Sequence, residues 1–124
     1  MNYAADICEI GRRMYQRELV ASNDGNISIR IDKNKVLITP TLTSKGFMKE
    51  EDIIMIDLDA NVIKGSKKPS SEYLLHTTVY KMRDDVNAVV HAHPLTLSAF
   101  AITGRAVDMS YMPEAYMSLG LFPV

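Results

Sequence analysis

The first twenty residues carry a helical period. Ile7, Ile10, Gly11 and Met14 fall near one face, and Arg12, Arg13, Arg17 and Glu18 fall mostly away from it, so residues 1–20 are expected as a helix covering a sheet. The polar run Ala21-Ser22-Asn23-Asp24-Gly25-Asn26 breaks that period with residues that accept unusual backbone angles. Strict alternation then takes over at Ile27-Ser28-Ile29-Arg30-Ile31, which predicts a half-buried strand. After the turn Asp32-Lys33-Asn34, residues 35–39 return as the hairpin partner and Pro40 ends it. Residues 41–46 form a second loop rich in hydroxyls. Residues 48–52 are expected as a short turn or helical cap, residues 53–58 as a strand, and Val62-Ile63-Lys64 as a strand pairing back across a turn. Pro69-Ser70-Ser71-Glu72 opens a helix running to about Met82, with Leu75, Val79 and Met82 as its apolar stripe. Ala88-Val89-Val90 reads as a buried strand leading into His91 and His93. Pro94 suits the first turn of a helix that runs to about Ile102 and closes at Gly104. A short extended piece at 106–112 and a helix at 113–119, stopped by Gly120, complete the pattern.

Composition narrows the class of molecule. A chain of 124 residues suffices for one domain with a real core. Its net charge is −1 and its Lys and Arg side chains are dispersed, which argues against a nucleic-acid surface but leaves room for a small anionic ligand. The single Cys8 cannot form an intrachain disulfide, so the composition suits a reducing, cytoplasmic setting. No stretch approaches the ~20 apolar residues of a membrane span, and the first residues lack a signal-peptide pattern, so no membrane partner is expected.

Four stretches carry candidate chemistry. In a strand, residues i and i+2 share a face, so His91 and His93 are expected side by side, about 7 Å apart along the backbone. Two imidazoles so placed can converge on one metal ion, or can be a pair of partly buried, hydrogen-bonded histidines. A hairpin brings Gly25-Asn26 and residues 41–46 to one end of the sheet, where free N–H groups and hydroxyls suit a phosphate or carboxylate; ordinary turn chemistry explains them equally. Ser70 and Ser71 stand at a helix N-terminus, where donors and the helix dipole attract anions, with Glu72 in the first turn close to whatever binds there. His76, at i+4 from Glu72, is expected as a packed or surface histidine outside the site.

Gly25-Asn26-Ile27-Ser28, Ile38-Thr39-Pro40-Thr41, Lys68-Pro69-Ser70-Ser71-Glu72 and Val89-Val90-His91-Ala92-His93-Pro94 occur in this order. Together they resemble the motifs of the class II aldolase/adducin family over essentially the whole chain. The family includes fuculose- and rhamnulose-phosphate aldolases, ribulose-phosphate 4-epimerases and methylthioribulose-phosphate dehydratases. The resemblance implies an α/β fold, a three-layer α/β/α sandwich with a mostly antiparallel central sheet. It implies that Gly25, Asn26, Thr41, Ser70 and Ser71 grip a substrate phosphate. It also implies that His91 and His93 ligate one Zn²⁺ per site, and that Glu72 is both the acid/base residue and a ligand of the resting metal. The expected activity is retro-aldol cleavage of a ketose 1-phosphate. Glutamate at position 72 favours an aldolase over the 4-epimerases, which carry aspartate there, while dehydratases share the glutamate. A phosphorylated sugar and further copies of the chain, a homotetramer in family members, are the implied partners. A non-catalytic, adducin-like self-association module is the alternative, although such members lack the metal histidines.

Two departures from the family pattern stand out. Leu42 occupies the position after the Thr where many members carry glycine, whose lack of a Cβ lets the backbone approach a phosphate. Family members are also longer, and their third zinc histidine lies downstream of Val124. The 124-residue chain is therefore expected to be a single domain lacking the family's C-terminal part, to bind metal weakly and to show little or no aldolase activity.

Overall fold

The computed structural model describes residues 1–119. Two compact units divide the chain, Met1–Ala92 and His93–Val124. The first is built on a five-stranded sheet in the order β4-β3-β2-β1-β5, with β1 Asn26–Asp32, β2 Lys35–Ile38, β3 Ile54–Ile56, β4 Val62–Lys64 and β5 Ala88–His91. Every neighbouring pair is antiparallel. Helices α1 (Tyr3–Gln16) and α2 (Tyr73–Met82) cover its two faces, giving the α/β/α layering that the motifs implied.

Alternation along the strands decides which helix each residue meets. Ile27, Ile29 and Leu37 pack with Ile7 and Met14 of α1, whereas Val36, Ile38, Ile54 and Ile56 pack with Tyr73 and Tyr80 of α2. Ile38, Ile54 and Ile56 are fully buried, each contributing about 1.5–3 kcal/mol. Asn2 starts α1 by accepting the Ala5 N–H at 3.3 Å. Gly11 lets the helix lie close against the segment beneath it, since a Cβ there would sit 2.7 Å from the Lys45 carbonyl oxygen. That segment holds two short 3-10 turns, Lys45–Phe47 and Glu50–Asp52; only the second was expected from the sequence.

Several expectations are corrected. Helix α1 stops at Gln16, and Ile10 is 37% exposed while Ile7, Gly11 and Met14 are buried. Helix α2 begins at Tyr73, so Glu72 is its N-cap residue rather than part of its first turn. Its inward face is Tyr73, His76, Thr77 and Tyr80, not Leu75, Val79 and Met82; Leu75 and Met82 are exposed. The reason lies across the interface: β1 offers Asn26, Ser28 and Arg30 to this face, and they select polar partners. Strand β5 is an edge strand with Val90 53% exposed, not the buried strand expected, and it ends at His91, so His93 lies just outside it.

In the second unit, α3 (Leu95–Ile102) begins after Pro94, and Gly104 at φ +64° closes it as expected. Helix α4 spans Pro113–Leu119, while the extended piece expected at 106–112 shrinks to a single bridge residue, Val107. Gly120 and the four residues after it, to which the expected helix stop belongs, lie outside the described residues.

Candidate metal and acid/base site

The motifs converge on one end of the sheet. Thr39 ties β2 to β1 beyond the regular ladder, its N–H donating to the Ile27 carbonyl at 3.0 Å while its hydroxyl accepts the Ile27 N–H at 3.2 Å. Residues 39–41 then pair with 68–70: the Thr41 N–H donates to the Lys68 carbonyl and the Ser70 N–H to the Thr39 carbonyl, both at 3.0 Å, around an antiparallel bridge between Pro40 and Pro69. This pairing delivers Thr41 and Ser70 to the same end as Gly25 and Asn26. Across the next ladder, Asn26 is the register partner of His91.

Gly25 is buried at φ +69°, and a Cβ there would meet Val20 Cγ1 at 2.5 Å and the His91 carbonyl oxygen at 2.9 Å. Only glycine fits this left-handed, crowded position. Lys45 stitches the two loops, its ammonium donating to the carbonyls of Asn23 and Thr43 at 3.1 and 2.5 Å. It is 1% exposed, and burial pushes its pKa down, opposed by Asp24. Ser70 is buried and its hydroxyl accepts the Glu72 N–H at 3.3 Å, while Ser71 is exposed.

Glu72 is where these elements meet. Its Oε2 lies 2.6 Å from His91 Nδ1, and the same oxygen accepts the Asn26 side-chain amide. His93 follows two residues along the chain, and ligand atoms of Glu72, His91 and His93 all lie within 4.8 Å of one another. One carboxylate and two imidazoles are a donor set that suits a borderline cation such as zinc, in the three-ligand pattern that leaves a coordination position open.

His76 is the residue that sequence spacing passed over. It is fully buried, with Nε2 at 2.5 Å from Asn26 Oδ1 and Nδ1 at 2.6 Å from Ser28 Oγ. Ser28 Oγ in turn lies 2.7 Å from Tyr80 Oη. Burial, reinforced by His91 and opposed by Glu72, lowers the His76 pKa to about 4, so the ring is neutral at neutral pH. The signal in the sequence was the pairing of two periods: Asn26 and Ser28 two apart on a strand, His76 and Tyr80 four apart on a helix.

Residues 5–124 match the family described as Class II Aldolase and Adducin N-terminal domain. The chain belongs to this family. This class II aldolase/adducin chain is 41% identical over 109 residues to an L-fuculose phosphate aldolase of Methanococcus maripaludis, covering 88% of the chain and 57% of that relative. It is 37% identical to a 3-oxo-tetronate 4-phosphate decarboxylase of Haemophilus influenzae, covering 75% of the chain and 44% of the relative. It is 34% identical to a methylthioribulose-1-phosphate dehydratase of Granulibacter bethesdensis, with 80% and 46% covered. A solved L-fuculose 1-phosphate aldolase superposes with a TM-score of 0.76 at 30% identity, over 83% of this chain and 49% of that one. The class II aldolase/adducin chain thus spans little more than half the length of the L-fuculose phosphate aldolase it matches. Among the described residues no helix is long and apolar enough to cross a membrane.

Proposed function

We propose that this protein is a metal-dependent aldolase cleaving a ketose 1-phosphate reversibly to dihydroxyacetone phosphate and an aldehyde. In this reading His91, His93 and Glu72 hold zinc, and Gly25, Asn26, Thr41, Ser70 and Ser71 receive the phosphate. The observation that carries it is the 2.6 Å contact of Glu72 Oε2 with His91 Nδ1, at the sheet end where the loop hydroxyls gather. Zinc in that donor set supplies Lewis-acid stabilisation of the negative charge that develops on the substrate oxygens. In cleavage, the bond between the third and fourth sugar carbons breaks and its electron pair stays with the ketose fragment as an enediolate. The fourth-carbon hydroxyl loses its proton as the aldehyde carbonyl forms. Glu72, which would also hold the metal, is the carboxylate that accepts this proton and returns one to the third carbon, completing dihydroxyacetone phosphate with no net change in protons. The Asn26 amide and the serine hydroxyls hold a phosphate by donation, without burying a fixed charge against it. A homo-oligomer is part of the same reading.

The relatives that are a decarboxylase and a dehydratase favour a second reading, in which the same site directs loss of carbon dioxide or water. Product analysis separates the two. Zinc-loaded protein, with the chain extended past Val124, is incubated with a panel of ketose 1-phosphates, and dihydroxyacetone phosphate is followed by coupled reduction. Release that disappears in Glu72→Gln, with zinc binding that disappears in His91→Ala, is the expected result. Zinc bound equally after His91→Ala, or no dihydroxyacetone phosphate from any member of the panel, overturns the aldolase reading.

A further inference from the structure

Between β1 and α2 lies a line of polar side chains that an apolar core has no need of. It runs Tyr80, Ser28, His76, Asn26, Glu72, each within hydrogen-bonding distance of the next. Ser28 and His76 are completely buried, Tyr80 is 1% exposed and Asn26 4%. Its end at Glu72 sets the direction of every bond in it. An ionised carboxylate only accepts, so Asn26 must present its amide nitrogen to Glu72. The reverse placement would set the amide oxygen against a carboxylate oxygen. The Asn26 oxygen then faces His76 Nε2, which must therefore carry the proton. A neutral imidazole with its proton on Nε2 is bare at Nδ1, so the Ser28 hydroxyl donates there. With its one proton committed, Ser28 accepts from the Tyr80 hydroxyl. All the donors point the same way, toward Glu72, and bonds so aligned polarise one another.

We propose that His76 is a positioning residue: held in its Nε2–H form by Ser28 and Tyr80, it fixes the Asn26 amide with its nitrogen on Glu72. The inference rests on the reading of Glu72 as the acid/base residue and metal ligand given above. It adds that the orientation of this carboxylate is decided two side chains away, in the core. His76 itself touches neither substrate nor metal. Partners of this kind, which orient a ligand from behind, typically change metal affinity on the order of 10–100-fold when removed.

Long-range proton–nitrogen correlation spectra of the full chain test this directly. At neutral pH His76 is expected with a protonated Nε2 and a bare Nδ1, and the Asn26 amide protons are expected to be sharp and slowly exchanging. Ser28→Ala removes the donor that selects this form, and a mixture of tautomers should appear. A pair of substitutions then separates direction from shape. His76→Gln can still donate to Asn26 and accept from Ser28, so zinc affinity stays within a few-fold of wild type. His76→Leu does neither, and affinity falls on the order of 10–100-fold with the fold intact by circular dichroism. A proton on Nδ1, Leu and Gln variants that bind zinc alike, or a Gln variant that leaves the Asn26 protons exposed to exchange overturns the proposal. If the wild-type chain binds no zinc, the aldolase reading fails, while the tautomer and the Asn26 protons still decide the role of His76.

Discussion

Lowering the pH should destabilise this protein through His76, in a window set apart from that of its carboxylates. Burial holds the folded-state pKa of His76 at about 4 against an ordinary 6.5, with His91 pushing the same way and Glu72 opposing. The groups around the ring are Glu72 at the cap of α2, Tyr80 on α2, Asn26 and Ser28 on β1, and His91 on β5. The folded chain therefore takes up this proton only near pH 4, whereas the unfolded chain takes it up near 6.5. Between those values the unfolded state holds more protons, so stability falls as pH falls. It is unaffected by His76 above about 6.5 and loses nothing further from it below about 4. The full loss is about 3 kcal/mol, because a tenfold difference in proton affinity between the folded and unfolded chain is worth about 1.36 kcal/mol. Against a typical domain stability of about 5–15 kcal/mol this is a large fraction. The surface carboxylates act lower down: Arg83 holds Asp85 at about 2, and hydrogen bonds hold Asp32, Asp52 and Asp57 below their ordinary 3.8. What these carboxylates stabilise is therefore lost only as pH drops through and below about 4. Urea unfolding of metal-free protein, with chelator present, measured at half-unit steps from pH 7.5 to 4, reads the slope. His76→Gln keeps the hydrogen bonds and removes the titration, so its curve should be flat where the wild-type curve descends. Parallel curves for the two proteins between pH 6.5 and 4.5 would refute the assignment.

Two further predictions concern the loops. Leu42 sits at φ +54°, 80% exposed, where a left-handed backbone costs a side-chain-bearing residue roughly 1–2 kcal/mol and glycine's extra freedom in the unfolded state takes back part of that. Leu42→Gly should raise stability by about 0.5–1 kcal/mol, seen as a melting temperature a few degrees higher; a lower one would show that the leucine is held by contacts that outweigh its strain. Gly25→Ala meets Val20 and the His91 carbonyl as well as a left-handed φ, so it should cost about 2 kcal/mol or more and weaken zinc binding by displacing His91. Denaturant unfolding and a zinc titration check both halves, and an unchanged midpoint would show that the strand ends move to absorb the methyl.

Much of the fold was legible because its strands alternate. Ile27-Ser28-Ile29-Arg30 states that one face differs from the other, and the hairpin, the β3–β4 pairing and the β5 strand all appear where the pattern puts them. The meeting of Glu72 with His91 was legible through motif resemblance, since nothing local to Glu72 says that β5 passes beside it. The face of α2 was not legible. A rule that seeks apolar residues at helical spacing finds Leu75, Val79 and Met82, yet the helix turns His76 and Thr77 inward. That preference resides in β1, whose polar Asn26 and Ser28 cannot be buried without partners, and a partner on another element leaves no mark in the helix's own period. Leu42 looked like a lost glycine in the sequence; its positive φ shows that the backbone keeps the glycine conformation with the wrong residue in it.

The sheet face under α2 is divided, and the division explains how one layer serves both stability and chemistry. Over β2 and β3 it is wholly apolar, with Val36, Ile38, Ile54 and Ile56 at 0% exposure, and this half supplies burial energy without directing anything. Over β1 it is polar, with Asn26, Ser28 and Arg30, and Arg30 sits 4.9 Å from the Tyr80 ring while donating to the Tyr80 and Arg83 carbonyls at the end of α2. Apolar side chains in that second half would pack as well and avoid the cost of dehydrating polar groups. They could not, however, define a direction, because dispersion and burial do not depend on which way a group points. A hydrogen-bonded row does, and it pins α2 in rotation at both ends: Arg30 on its final carbonyls, Asn26 on the carboxylate at its cap. The rotation of α2 about its axis is the degree of freedom that would carry Glu72 away from His91. A helix held only by the apolar half would lack the two directional restraints, Arg30 at its end and Asn26 at its cap, that accompany the 2.6 Å contact of Glu72 with His91.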